Sequence, residues 1–369
     1  MKKFLAEISE KIVKECLKIN ENDSVLIVSG LHNIDFAEEI AINCYKVGAT
    51  PLISATSDDY TKRIFSEVRE KNLEKVHKHL LGLFNELDVR IAIEPYENPF
   101  LLKDVSESKI GARRKANEPI WDKIVERGIK WLYLGYPTKK MAEAYNIPYD
   151  ELKNLYLKML NIDYKQLEKT CKKIKNFLIG KKKVRITHSN GTDLTFSIEN
   201  RRINVDDGTI SEENAKEGDT GLNLPSGEVF VAPIEDSANG KIIFNCPTYY
   251  KGKEIKNLEL TFENGRIISI NAEKGKEVFE RAIENAHGDK EFIAEWGIGL
   301  NPFAKPIGYT LIDEKVMKSI HIAIGENRGY GGKNKATIHW DLVLLNPNVF
   351  VDEKEFMKNG KIICTDIKF

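Results

Sequence analysis

Between Ala294 and Leu344 the chain sets ionisable side chains beside short apolar runs three times over. The runs are Ala294-Glu295-Trp296-Gly297-Ile298-Gly299, Ser319-Ile320-His321-Ile322-Ala323-Ile324-Gly325 and Thr337-Ile338-His339-Trp340-Asp341-Leu342. On a β-strand, residues two apart share a face, so His339 and Asp341 can reach one ion while Trp340 points away. His321 heads the run Ile322 to Ile324, which places it on or beside a strand. Gly325, Gly329, Gly331 and Gly332 make a loop of the segment between the two histidines, and a loop held between ligand-bearing strands is a common wall for an active site. One carboxylate, one lone imidazole and a His/Asp pair in a single stretch form a metal-ligand inventory.

At 369 residues the chain exceeds what one core usually supports, so two domains are expected. Lys+Arg and Asp+Glu balance at 56 each, so there is no overall basic field and no nucleic-acid partner is predicted. Hydrophobic residues at 41% with 30% charged describe a soluble globular chain, and no apolar run reaches the length of a membrane span. The opening Met1-Lys2-Lys3-Phe4-Leu5-Ala6-Glu7 lacks the apolar centre of a signal peptide, which predicts a cytoplasmic address. Cys16, Cys44, Cys171, Cys246 and Cys364 are scattered singly and read as reduced thiols in apolar positions, not as a disulfide framework or zinc knuckle.

In chain order, residues 2 to 19 carry apolar side chains at helical spacing, and Ser24 to Val28 is a continuous apolar strand followed by Gly30. A helix from about Asp35 to Val47, a strand at Pro51 to Ser54, helices across 59 to 82, and strands at Val89 to Ile93 and Lys130 to Leu134 continue the rhythm. Strand alternating with helix predicts a parallel α/β sheet domain over residues 1–180. After helices at 150 to 180 the pattern changes to alternating strands and glycine turns, with one helix at about 275 to 286. A mainly antiparallel β domain carrying the metal site is therefore expected over 181–369.

The first domain offers little chemistry. Ser29-Gly30-Leu31-His32-Asn33 lacks the spacing of a dinucleotide fingerprint, and its glycine is what any tight turn needs. Arg113-Arg114-Lys115 reads as a solvated face, and His77 and His79 as diverging surface histidines on one helix. His32 is harder to dismiss, because ligands of open α/β sheets bind at the carboxyl ends of strands. In the second domain, Glu235 and Asp236 read as solvated and His188 and His287 as structural. Glu228, after Pro225-Ser226-Gly227, opens an apolar strand and is expected at a sheet edge facing a cavity.

Taken together, Gly227-Glu228-Val229-Phe230 with Ala232-Pro233, Ala294-Glu295-x-Gly297-Ile298-Gly299-x-Asn301-Pro302, His321-x-Ala323-x-Gly325, and Gly331-Gly332-Lys333-Asn334 leading into His339-Trp340-Asp341 resemble the thermophilic aminopeptidase family, the relatives of aminopeptidases T and S. The resemblance covers most of the chain. It implies a homodimeric metallo-aminopeptidase that binds two divalent ions per chain (Zn, Co, Mg or Mn) and acts on a peptide substrate. It further implies that Glu228, Glu295, His321, His339 and Asp341 are the ligands, with Glu295 able to bridge. Tyr330 is the nearest counterpart of a tyrosine that follows His-x-Ala-x-Gly in the family, and Glu228, Glu295 and Tyr330 are the catalytic candidates. The residue chemistry agrees independently: three carboxylates and two imidazoles suit a pair of borderline cations.

Two other readings remain open at this stage. His321, His339 and Asp341 alone make the facial triad of a mononuclear Fe(II) dioxygenase, and ring-cleaving dioxygenases of hydroxypyridines resemble this fold. A non-catalytic small-molecule-binding protein using the first domain's sheet is the other.

Overall fold

The computed structural model describes residues 2–216 and 218–363 of the chain. Contacts divide the chain into two compact units, residues 1–161 with 208–224, and residues 162–207 with 225–369. Relative to a single cut near residue 180, the helix Tyr164–Leu178 belongs with the second unit and the strand Gly221–Leu224 with the first.

The first unit is built on five parallel strands in the order Thr50–Thr56, Ser24–Gly30, Val89–Ile93, Lys130–Leu134 and Gly221–Leu224. Central strands of a parallel sheet are covered on both faces, which is why Val25, Leu26 and Ile27 and then Ile91, Ala92 and Ile93 are buried in unbroken runs. The helix Ile34–Lys46 buries Phe36, Ala37, Ile40, Ala41 and Cys44, a stripe at the spacing of a helix face. A 21-residue helix, Glu107–Arg127, was not expected from the sequence, and it is closed by Gly128 in the left-handed region at φ 62. From it Arg113 reaches His77 Nε2 at 2.9 Å, so this basic run is not simply solvated. His77 precedes the helix Lys78–Phe84 instead of lying on it, and its ring stacks on His79 at 5.2 Å where divergence was expected.

The second unit is antiparallel. An eight-stranded sheet is accompanied by a five-stranded sheet in the order His339–Leu345, Ser319–Gly325, Ile293–Gly299, Glu228–Val231 and Asn204–Asp206. One face of the smaller sheet is apolar: Trp296, Ile298, Ile320, Ile322, Ile324, Trp340, Leu342 and Leu344 are all buried. Trp296 meets Phe196 of the larger sheet edge-on at 5.8 Å, and Phe279, from the helix Lys276–Asn285, lies 5.1 Å from Trp340. Strict alternation leaves the opposite face free to carry chemistry.

Cys16, Cys44, Cys171 and Cys246 are free and buried, as expected, and Cys364 lies outside the described residues. Among the described residues, no helix is long and apolar enough to cross a membrane.

Candidate metal centre

Register fixes the site. Across the five-stranded sheet Glu295 stands opposite Ala323 and Ala323 opposite Asp341, while His321 faces Gly297, His339 faces Gly325, and Glu228 pairs with both Gly299 and Asp206. Residues directly opposite in antiparallel strands point to the same face. Glu228, Glu295, His321, His339 and Asp341 therefore all project from the face that Trp296 and Trp340 avoid. Between them on the two central strands stand Gly297, Gly299, Ala323 and Gly325, which leave room above the sheet. A register shift between Ile293 and Glu295 lets the strand bring Glu295 onto this face although Ile293, two residues earlier, packs with Ile324. Glu228 is not at a sheet edge, since its strand is paired on both sides.

The ligand atoms converge in two overlapping groups. Glu228, Glu295 and His321 form one and Glu295, His339 and Asp341 the other, each with candidate ligand atoms within 4.8 Å of one another. His321 Nε2 lies 3.1 Å from Glu295 Oε1 and 3.7 Å from Glu228 Oε2. His339 Nε2 lies 3.5 Å from Glu295 Oε2 and 3.3 Å from Asp341 Oδ1. Glu295 thus offers one oxygen to each imidazole. The His339 side chain is 23% exposed and that of His321 1%, so the cluster opens to solvent on the His339 side.

Three observations test whether these residues suit metal ions. His339 Nδ1 is 2.7 Å from the Glu326 carbonyl, which accepts its proton and leaves the Nε2 lone pair aimed at two carboxylates. Glu228 Oε2 and Asp341 Oδ1 are buried and accept no hydrogen bond. Finally, the buried Asp206, Glu228 and Glu314 lie within 3.1 Å of the buried Lys315, and Glu295 and Asp341 are buried as well, an excess of negative charge that is costly in a dry site unless cations balance it. The residues present fit divalent cations.

The electrostatics of the metal-free cluster follow from burial and mutual charge. Burial alone would lower His321 and His339, but the carboxylates around them, led by Glu295 for His321 and Asp341 for His339, hold them up at about 9 and about 10. Burial pushes Glu228 up to about 8, against the pull of Lys315. Asp341 goes the other way: burial opposes it, yet His339 and His321 hold its carboxyl well below the usual range. Lys315 would be lowered by burial, but Glu228, Glu314 and Asp206 keep it well above its ordinary value.

Of the remaining expected site residues, Tyr330 is at the cluster. Its ring centre is 5.2 Å from that of His339 and 5.4 Å from that of Phe230. Its phenol is raised well above its ordinary value, first by burial and then by Glu295 and Asp341. The carbonyls of Gly329, Tyr330 and Gly331 accept hydrogen bonds from Arg202, Asn204 and Arg201, so the turn bearing Tyr330 is fastened from below. Glu235, expected to be solvated, is instead paired with Arg201 and accepts the Lys333 N–H at 2.6 Å. Sequence reasoning missed Asp206, which ends the three-residue strand Asn204–Asp206, and Glu314 and Lys315, which follow the four-residue helix Thr310–Asp313; both elements are too short to show a period.

The chain resembles known proteins over nearly its whole length. Aminopeptidase AmpS of Bacillus subtilis (strain 168) is 24% identical over 396 residues, covering 95% of this chain and 91% of that protein. The solved structure of wild-type AmpT from Thermus thermophilus matches with a TM-score of 0.79 at 20% identity over 98% of this chain and 99% of that one. The 2,5-dihydroxypyridine dioxygenase of Pseudomonas putida KT2440 shares the fold at a TM-score of 0.69 and 15% identity over 99% of both chains. A profile of the thermophilic metalloprotease family (M29) matches residues 1–363, and the chain belongs to that family of metal-dependent peptide hydrolases.

Proposed function

We infer that the chain is an aminopeptidase that releases N-terminal residues from peptides at a two-metal site. The observation that carries this reading is the sharing of Glu295 between both groups of ligand atoms. Glu228, Glu295 and His321 would hold one divalent ion, and Glu295, His339 and Asp341 the other, with Glu295 common to both. Zn, Co, Mg and Mn are the candidates. Bound there, such ions polarise a peptide carbonyl and acidify a water.

The chain's own groups supply the rest. Tyr330 keeps its phenolic proton at neutral pH and can donate it in a hydrogen bond to the oxyanion that develops on the scissile carbonyl. Glu228 and Glu295 are the carboxylates placed to accept a proton from the attacking water. A free α-amine of the substrate could coordinate one of the ions or pair with an acidic side chain beside the carbonyl, which would select for the end of a peptide. The presence of Glu228 and Glu295 within reach of His321 favours this reading over a mononuclear iron dioxygenase, which needs only His321, His339 and Asp341. A homodimer accompanies the reading, as the family resemblance implies.

The test is hydrolysis of a panel of aminoacyl amides and N-blocked controls by metal-stripped protein reloaded with Zn, Co, Mn or Mg. Release from free but not blocked N-termini, at two bound ions per chain, is the expected result. Inactivity with every metal, or oxygen uptake with iron and a hydroxypyridine, would overturn it.

A further inference from the structure

Lys315 has no exposed surface, and its place is set by backbone. It follows the short helix Thr310–Asp313, and its carbonyl accepts the Asn301 N–H at 2.9 Å, just beyond the strand Ile293–Gly299 that carries Glu295. The Asn301 side chain donates to the Ser226 carbonyl at 2.8 Å, two residues ahead of Glu228. Held in this way, the Lys315 ammonium lies 2.5 Å from Glu228 Oε1, 2.9 Å from Glu314 Oε1 and 3.1 Å from Asp206 Oδ2. Three carboxylates match the three N–H donors of an ammonium. Glu228 is then divided between two tasks: Oε1 is engaged by Lys315, and Oε2, which accepts no hydrogen bond, is turned to His321 Nε2 at 3.7 Å.

We propose that Lys315 is a positioning residue that fixes the rotation of the Glu228 carboxylate, so that Oε2 alone is presented to the ion shared with Glu295 and His321. This rests on the two-ion reading above. A carboxylate without such an anchor is free to turn, and its ordering then has to be supplied by the metal. Groups that orient metal ligands typically contribute roughly 10- to 100-fold in metal affinity. The alternative role, a plain counter-charge, has the opposite sign: removing a cation beside a metal site strengthens cation binding. The direction of the change therefore separates positioning from charge balance.

The experiment is a calorimetric titration of metal-stripped full-length protein with Co²⁺, followed by the visible absorption of the bound ion. Wild type is expected to take two ions, and Lys315→Met to bind one of them about 10- to 100-fold more weakly, with a changed spectrum for that ion and the other unaffected. In a Glu228→Gln background, adding Lys315→Met should cost nothing further, because the lysine acts through Glu228. Should Lys315→Met not fold, Lys315→Arg keeps the charge and moves the donor: weakened binding of the same ion supports the proposal, and wild-type binding overturns it. Unchanged or tighter Co²⁺ binding by folded Lys315→Met also overturns it. Wild type that takes fewer than two ions would refute the two-ion reading itself, a failure visible before any variant is made.

Discussion

The imidazole of His321 lies across the backbone of Gly297, so close that a Cβ on that glycine would stand 2.1 Å from both Cε1 and Nε2 of the ring. The glycine is what lets His321 lie flat over the sheet and reach Glu295. Gly297→Ala is expected to displace the ring, with loss of one bound ion and at least about 10-fold lower turnover, as for other disturbed ligand positions. Destabilisation should stay near the ~1–3 kcal/mol of an overpacked core. Metal content by mass spectrometry beside the thermal midpoint checks it: a folded variant with full metal content would refute the argument.

Acid and metal compete for the same atoms. His321 at about 9 and His339 at about 10 stand above the ordinary 6.5, and Glu228 at about 8 stands above 4.5. A group raised on folding contributes stability that is complete below its unfolded value and is lost as pH climbs through the folded one. Metal-stripped protein should therefore lose thermal stability between about pH 4.5 and 10, Glu228 contributing the loss between about 4.5 and 8 and the two histidines that between 6.5 and about 10. Metal uptake must release those protons, so apparent affinity should rise over the same window and the loaded protein should not show the decline. A midpoint of the stripped protein that is flat or rising with pH would contradict this.

Glu295 differs from the other carboxylates in being common to both ligand groups. Glu295→Gln is expected to impair both ions at once, whereas Asp341→Asn should weaken chiefly the ion it shares with His339. Losses of at least about 10- to 100-fold in metal affinity or turnover are expected for Glu295→Gln, the range seen when the groups that support metal ligands are removed. Equilibrium dialysis at graded metal concentration separates the two patterns, and loss of only one ion in Glu295→Gln would sink the shared role.

How much of this was readable from the sequence depended on whether burial left an imprint on residue type. Val89 to Ile93 and Ser24 to Val28 were legible because strands covered on both faces are continuous apolar runs. His321, His339 and Asp341 were legible because they alternate with Ile320, Ile322, Trp340 and Leu342 on adjacent strands. The helix Glu107–Arg127 left no such trace: its buried positions are Ala112, Ala116, Ile120 and Ile124, a narrow stripe of small and isolated residues, and Pro119 lies inside it. The strand Gly221–Leu224 is too short to show a period, and it belongs to the parallel sheet only through long-range pairing with Lys130–Leu134. Lys315 and Glu314 drew no reading from the sequence, since the partners of the lysine, Glu228 and Asp206, lie far away in it.

Trp296 reports on the opposite face of the same sheet. It is 1% exposed, packs edge-on against Phe196, and its indole N–H has no hydrogen-bond partner. Trp296→Ala should cost about 3–5 kcal/mol, the range for removing a large buried aromatic. Trp296→Phe should cost clearly less, because it keeps most of the packing and removes an unpaired buried donor. Chemical denaturation of metal-loaded protein measures both, and equal losses would show that the indole N–H is in fact satisfied.

Tyr330 offers the sharpest division between binding and turnover. Its phenol stands beside His339 on a turn whose carbonyls are held by Arg201, Arg202 and Asn204, so the ring is positioned without relying on its own hydroxyl. Tyr330→Phe should accordingly fold normally and bind metal as wild type does. If the hydroxyl donates to the developing oxyanion, kcat should fall by about 10²- to 10³-fold with KM little changed, the cost seen when one such donor is removed. Wild-type kcat in Tyr330→Phe would remove Tyr330 from the chemistry, and a matched loss of metal would instead assign it to holding His339 in place.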